Sequence, residues 1–155
     1  MRPDSLVLLA IQVVALPGWN PHIPGLHFIP KDPAALGSRA RLLNHFRVSD
    51  ASPGTRGHHA VPSELVLNLQ DAATAGAMLS LLASYGREIQ VRYATGISPT
   101  TEETEDFPLR WWVEAPSRKP GSKLYASGNT LGEAIARFVV TYGSWTLDGP
   151  RYLNP

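Results

Sequence analysis

The 155-residue chain contains no cysteine. That absence excludes disulfides, thiolate metal sites, iron–sulfur clusters and a cysteine nucleophile together. Charge is scarce as well: 17% of residues are Asp, Glu, Lys or Arg, and 14 cations against 13 carboxylates leave a net charge of +1. Nothing global therefore draws the protein toward phosphate backbones or anionic lipid, and any partner must be recognised locally. Long hydrophobic runs are also missing. The nearest to one, Leu6 to Leu16, falls short of the roughly 20 residues that span a bilayer. Asp4 and Gln12 spoil it as a signal peptide, so we expect a retained helix, no membrane partner and a location in the bacterial cytoplasm. The chemistry-bearing fingerprints are absent too: no Gly-x-Ser-x-Gly elbow, no Gly-x-x-x-x-Gly-Lys loop and no Gly-x-Gly-x-x-Gly turn.

What is present is apolar enough, at 43% hydrophobic residues, to bury one core, and the length suits a single domain over residues 1–155. Its halves differ. Residues 1–62 combine an N-terminal helix near 4–16 with an irregular segment broken by Pro17, Pro21, Pro24, Pro30, Pro33, Pro53 and Pro62. Only a short extended piece, Leu26 to Ile29, and a short helix opened by Asp32-Pro33 fit there. In the first helix Leu6, Leu9, Ala10, Val13 and Val14 form a stripe, while Val7, Leu8 and Ile11 make the other side apolar, predicting burial on more than one face.

Residues 63–155 are regular. Leu65 to Leu69 has strand composition, and Asp71 caps a helix to Tyr85 with Ala75, Met78, Leu79 and Leu82 on one face. Glu88 to Tyr93, Arg110 to Ala115 and Lys123 to Ser127 each alternate with a period of two, the last two as a hairpin. Thr130 and Glu133 have capping-box spacing before the stripe Leu131, Ala134, Ile135, Phe138, Val139 and Tyr142, and Gly143 ends the helix. The fold class is thus α+β: a mostly antiparallel sheet of about four strands packed by three helices near 4–16, 71–85 and 130–142, in the order α, irregular segment, β-α-β-β-α. The tail through Trp145, Leu147 and Tyr152 packs back on the domain.

Three segments, Leu16-Pro-Gly-Trp19 after the first helix, Leu69-Gln-Asp-Ala-Ala-Thr-Ala-Gly-Ala-Met-Leu79 and Asn129-Thr-Leu-Gly-Glu-Ala-Ile-Ala136, resemble small uncharacterised proteins of tailed bacteriophages and prophages. The resemblance implies a compact α/β sandwich of phage origin and brings no activity or catalytic residue with it.

Candidate sites come from local patterns. Tyr93, Ile89, Val91, Trp111, Val113, Leu124 and Ala126 share one parity and point to the core. Arg92, Arg110, Trp112, Lys123 and Tyr125, with Gln90, share the other. Flat aromatics among cations are the parts that grip a peptide or stack bases. The same parity permits a second outcome, in which the first helix covers this face and Trp112 joins the core. Glu102, Glu103, Glu105 and Asp106 form an acidic connector that can dock a basic protein. His22, His27, His45, His58 and His59 lack metal-ligand spacing, and Arg39, Arg41, Arg47 and Arg56 form a basic strip. No catalytic residue, metal site or cofactor is expected. The expected role is a small non-enzymatic binding protein with a protein partner. A nucleic-acid-binding accessory using the aromatic face is the alternative, and a small-molecule-binding or hydrolytic protein the third.

Overall fold

The computed structural model describes residues 3–31, 46–48, 65–85, 88–95, 109–117, 121 and 123–146. Three helices and six strands follow in chain order: α1 (Pro3–Val14), β1 (His27–Pro30), β2 (Phe46–Arg47), β3 (Leu65–Leu67), α2 (Ala72–Ser84), β4 (Gln90–Thr95), β5 (Leu109–Pro116), β6 (Lys123–Gly128) and α3 (Leu131–Tyr142). The α+β class, the three helices and the antiparallel pairing agree with the sequence reading. The strands divide differently: they form two three-stranded sheets, β2-β1-β3 and β4-β5-β6, rather than one. The extended piece within the proline-rich segment accounts for the split. As β1 it stands between β2 and β3, with Phe28 opposite both Phe46 and Leu67, so β3 finds its partner there. The expected helix after Asp32 and the tail beyond Thr146 lie outside the described residues.

Each helix starts and stops for a local reason. In α2 the Asp71 carboxylate accepts from the Thr74 N–H at 2.8 Å and from its hydroxyl at 3.0 Å, quenching donors that a helix leaves unpaired at its start. The same Thr74 hydroxyl oxygen accepts from the His27 N–H at 2.9 Å, which fastens β1 to the head of α2. In α3 the Thr130 hydroxyl oxygen accepts from the Glu133 N–H at 3.2 Å. Glu133 reaches past the cap residue to the Asn129 N–H, also at 3.2 Å, a displaced form of the reciprocal box. Gly143 ends α3 in the left-handed conformation, with φ of 78°, which costs a glycine little.

The core is built around α3, which packs on β5 and β6 on one side and on α1 and α2 on the others. Ala134, Ile135, Ala136, Phe138 and Val139 are all fully buried. Glu133, equally buried, is paired with Arg137 at 2.9 Å. Trp145 closes the far end: its ring is fully buried, its Nε1 donates to the Val13 carbonyl at 2.8 Å, and its N–H donates to the Pro17 carbonyl at 3.0 Å. Trp19 packs beside it with ring centroids 5.3 Å apart.

The expectation for α1 is corrected. It buries Leu9, Ala10 and Val13 but leaves Leu8 61% exposed and Ile11 exposed as well, because α3 and β3 take one side of it. It is an ordinary one-sided helix. Among the described residues no helix is long and apolar enough to cross a membrane.

Two glycines in helices separate close packing from mere helix propensity. A Cβ on Gly132 would fall 2.1 Å from the Leu69 carbonyl oxygen, whereas one on Gly76 would meet nothing within 4 Å. In urea denaturation, Gly132→Ala is expected to lose at least about 1–3 kcal/mol through overpacking. Gly76→Ala is expected to gain up to about 1 kcal/mol from backbone entropy. Equal effects at the two positions would contradict the close seating of α3 on the Leu69 backbone.

Candidate functional site

Register decides what each side of the β4-β5-β6 sheet carries. Val91 lies opposite Val113, which lies opposite Ala126, while Ala115 faces Leu124. These residues are turned to α3, and Val113 and Leu124 are buried completely or nearly so. The alternate residues must face away. Arg92 lies opposite Trp112, Trp112 opposite Ser127, Gln90 opposite Glu114 and Glu114 opposite Tyr125; Arg110 pairs with Ala94, and Lys123 with Pro116. The structure therefore brings the five candidates Arg92, Arg110, Trp112, Lys123 and Tyr125 onto one face. The first helix packs on α3 and β3, on the other side of α3's sheet, and Tyr125 is 43% exposed.

The centre of this outer face is ordered by contacts within the protein. The Trp112 Nε1 donates to the Ala94 carbonyl at 3.2 Å, holding one edge of the indole against the β4 backbone. The Arg92 guanidinium lies 5.8 Å from the Trp112 ring centroid, within range of a cation–π attraction. Its Nε and a terminal nitrogen both reach Glu114 Oε1, at 3.0 and 2.7 Å. Tyr125 stands on the other flank of Trp112, centroids 6.3 Å apart and tilted by 44°. Arg92, Trp112, Tyr125 and Glu114 thus form one preordered cluster. Glu114, with 12% of its side chain exposed, is the member that sequence reasoning left out. Its position two residues beyond Trp112 on the same parity carried the signal.

The ends of the face are different. Arg110 makes no hydrogen bond or ion pair among the described residues, and its Nε is buried without an acceptor. Lys123 makes no ion pair there either. It lines a cleft of about 350 Å³ with Glu88, Gln90, Glu114, Ala115, Pro116 and Gly121. From Arg110 to Pro116, opposite Lys123, is six residues along β5, or about 20 Å at roughly 3.3 Å per residue.

Under this face Tyr142 of α3 meets the free edge of β6: its hydroxyl oxygen accepts the Tyr125 N–H at 3.2 Å, giving that edge donor a partner. Burial raises the Tyr142 pKa, and the nearby Tyr125 phenol adds to the rise, while the Tyr125 N–H acts in the opposite direction.

The inward parity holds with one correction. Tyr93 is on the core-facing side but 54% exposed, because it stacks on Trp111 at 5.1 Å toward the end of the sheet where Leu109 is also exposed. His27 Nδ1 is 3.2 Å from the Asn68 side-chain nitrogen, so this imidazole is used in joining β1 to the residue after β3. Among the described residues no three His, Asp or Glu side chains converge as metal ligands would. The acidic residues Glu102, Glu103, Glu105 and Asp106 lie outside the described residues, as do His45, His58, His59, Arg39, Arg41 and Arg56. The chain matches no family model, and neither a curated protein nor a solved structure matches it. The resemblance to tailed-phage proteins therefore rests on the three sequence segments alone.

A raised tyrosine pKa fixes the sign of a pH effect. The unfolded chain releases this proton first, near pH 10, so the stability tied to neutral Tyr142 is complete below that pH and is lost as pH rises toward the folded value. Thermal melts through the alkaline range are expected to fall more steeply for the wild type than for Tyr142→Phe. Parallel curves would show that the hydroxyl is not buried against β6.

Proposed function

We propose that this chain is a non-enzymatic binding protein that docks a protein partner on the outer face of β4-β5-β6, through Arg92, Arg110, Trp112, Lys123 and Tyr125. The observation that carries the reading is the preordered Arg92–Trp112–Tyr125 cluster on a sheet face turned away from α3. Trp, Tyr and Arg are the residues enriched in energetic hot spots of protein interfaces, and a cluster already held by Glu114 and the Ala94 carbonyl loses little side-chain freedom when a partner arrives.

Charge decides between a protein and a nucleic acid. Among the described residues Arg92, Arg110 and Lys123 oppose Glu88 and Glu114, a sum of only +1 for the face with its cleft, and Arg92 is already neutralised by Glu114. A nucleic-acid strand repeats its negative charge along its whole length and is held by several cations releasing counterions. Two unpaired cations about 20 Å apart, with carboxylates at one end, give such a strand little to follow.

The test is photocrosslinking in the cells that naturally make the protein, with benzoylphenylalanine in place of Tyr125. The expected adduct is with protein, lost on adding Trp112→Ala, and purified chain is expected to leave single-stranded and duplex oligonucleotides unshifted even at low ionic strength. Crosslinks to nucleic acid, together with a gel shift that weakens with salt, would replace this reading by the nucleic-acid one. Adducts indifferent to Trp112 would remove the face from the function.

A further inference from the structure

Resting on the protein-docking reading, we infer that the partner presents an extended segment in which an Asp or Glu side chain, seated on Arg110, lies two residues from an aromatic or aliphatic side chain seated between Trp112 and Tyr125. The cations of this face differ in whether they are already engaged. The two Arg92 nitrogens that face Glu114 share one carboxylate oxygen, at 3.0 and 2.7 Å, and the guanidinium also lies against Trp112. It is therefore engaged before any partner arrives.

Arg110 is the reverse case. It is half-buried, has no ion pair among the described residues, and keeps a buried Nε without an acceptor. A guanidinium is shaped to hold one carboxylate by two parallel bonds. An incoming acid therefore meets at Arg110 a charge that no described residue has already neutralised. Ser127, Ala94 and Trp112 share the face around it, and none of them brings a negative charge.

Spacing sets the rest of the pattern. Arg110 and Trp112 are alternate residues of β5, separated by roughly 7 Å along the strand. An extended peptide repeats its own same-side side chains at that interval. A segment lying over β5 thus places an acid and an apolar group in phase with Arg110 and with the Trp112–Tyr125 pair. Farther along, Arg92 pairs with Glu114 and Glu88 offsets Lys123 in the cleft, so the described residues there hold no net positive charge for a second acid. The favoured segment is consequently acidic at one end only, which separates it from a polyanion and from a uniformly acidic tail.

The experiment selects a random linear peptide library, displayed and panned on the intact chain, and then measures the enriched peptides as synthetic pairs by fluorescence anisotropy. Enriched sequences are expected to carry Asp or Glu two residues from Trp, Tyr, Phe or Leu. Changing that acid to its amide is expected to weaken binding to the wild type about tenfold and to leave binding to Arg110→Gln unchanged. Trp112→Ala is expected to weaken both members of each pair alike, and circular dichroism establishes that each variant is folded. Peptides that need Trp112 but lack the acid, or whose acid is insensitive to Arg110→Gln, overturn this inference while the docking reading stands. Enrichment indifferent to Trp112, or no enrichment at all, overturns both.

Discussion

The seating of α3 on one side of the β4-β5-β6 sheet is the constraint from which the remaining organisation follows. Helix α3 is buried along nearly its whole length, and it claims the side of the sheet that carries Val113 and Leu124. Since strand side chains alternate strictly, that claim commits Arg92, Trp112, Glu114 and Tyr125 to the opposite side with no further instruction. A slip of one residue in β5 would put Trp112 against α3 and Val113 in water. The helix is itself held from behind by α1 and α2, and from beyond its end by Trp145, whose ring, indole N–H and backbone N–H all engage the segment from Val13 to Trp19. The parts far from the outer face thus serve to keep α3 pressed on the sheet.

On the outer face the electrostatics divide by position. The middle is internally satisfied, with Arg92 between Trp112 and Glu114, while at the ends Arg110 and Lys123 have no ion pair among the described residues. A half-exposed pair such as Arg92–Glu114 contributes little to stability, on the order of 0–1 kcal/mol. Its effect is to fix the guanidinium and the indole in one arrangement. Affinity then comes from apolar contact over the ordered centre, and selectivity from the Arg110 end, where a partner with the wrong group leaves the guanidinium charge uncompensated.

Much of this arrangement is legible in the amino-acid order because it rests on short periods. Arg110 to Ala115 and Lys123 to Ser127 alternate cleanly, and the Thr130 cap and the Gly143 stop mark both ends of α3, so the shared face of Trp112 and Tyr125 follows from parity. The division into two sheets does not follow, because it depends on β1 capturing β3, a pairing across residues far apart in sequence with only three positions of register. The one-sided burial of α1 was equally hidden. Its composition is apolar all round, and only the place it takes against α3 and β3 determines that Leu8 faces outward. Tyr93 has the parity of a core residue, but parity says nothing of where α3's cover stops. Glu114 was readable by position, yet its importance lies in the 2.7 Å contact with Arg92, which needs the register of β4 on β5 and not the pattern of either strand alone.

The absence of cysteine allows the central claim, that parity divides this sheet into a sealed side and an open one, to be measured directly. Single cysteines introduced as Leu124→Cys and Tyr125→Cys report adjacent positions on opposite sides of β6, free of any background thiol. The account predicts that Tyr125→Cys reacts with a thiol reagent in the native state nearly as fast as in denaturant, while Leu124→Cys reacts only at the rate at which the protein opens. Equal native rates at the two positions, or faster labelling of Leu124→Cys, would contradict it.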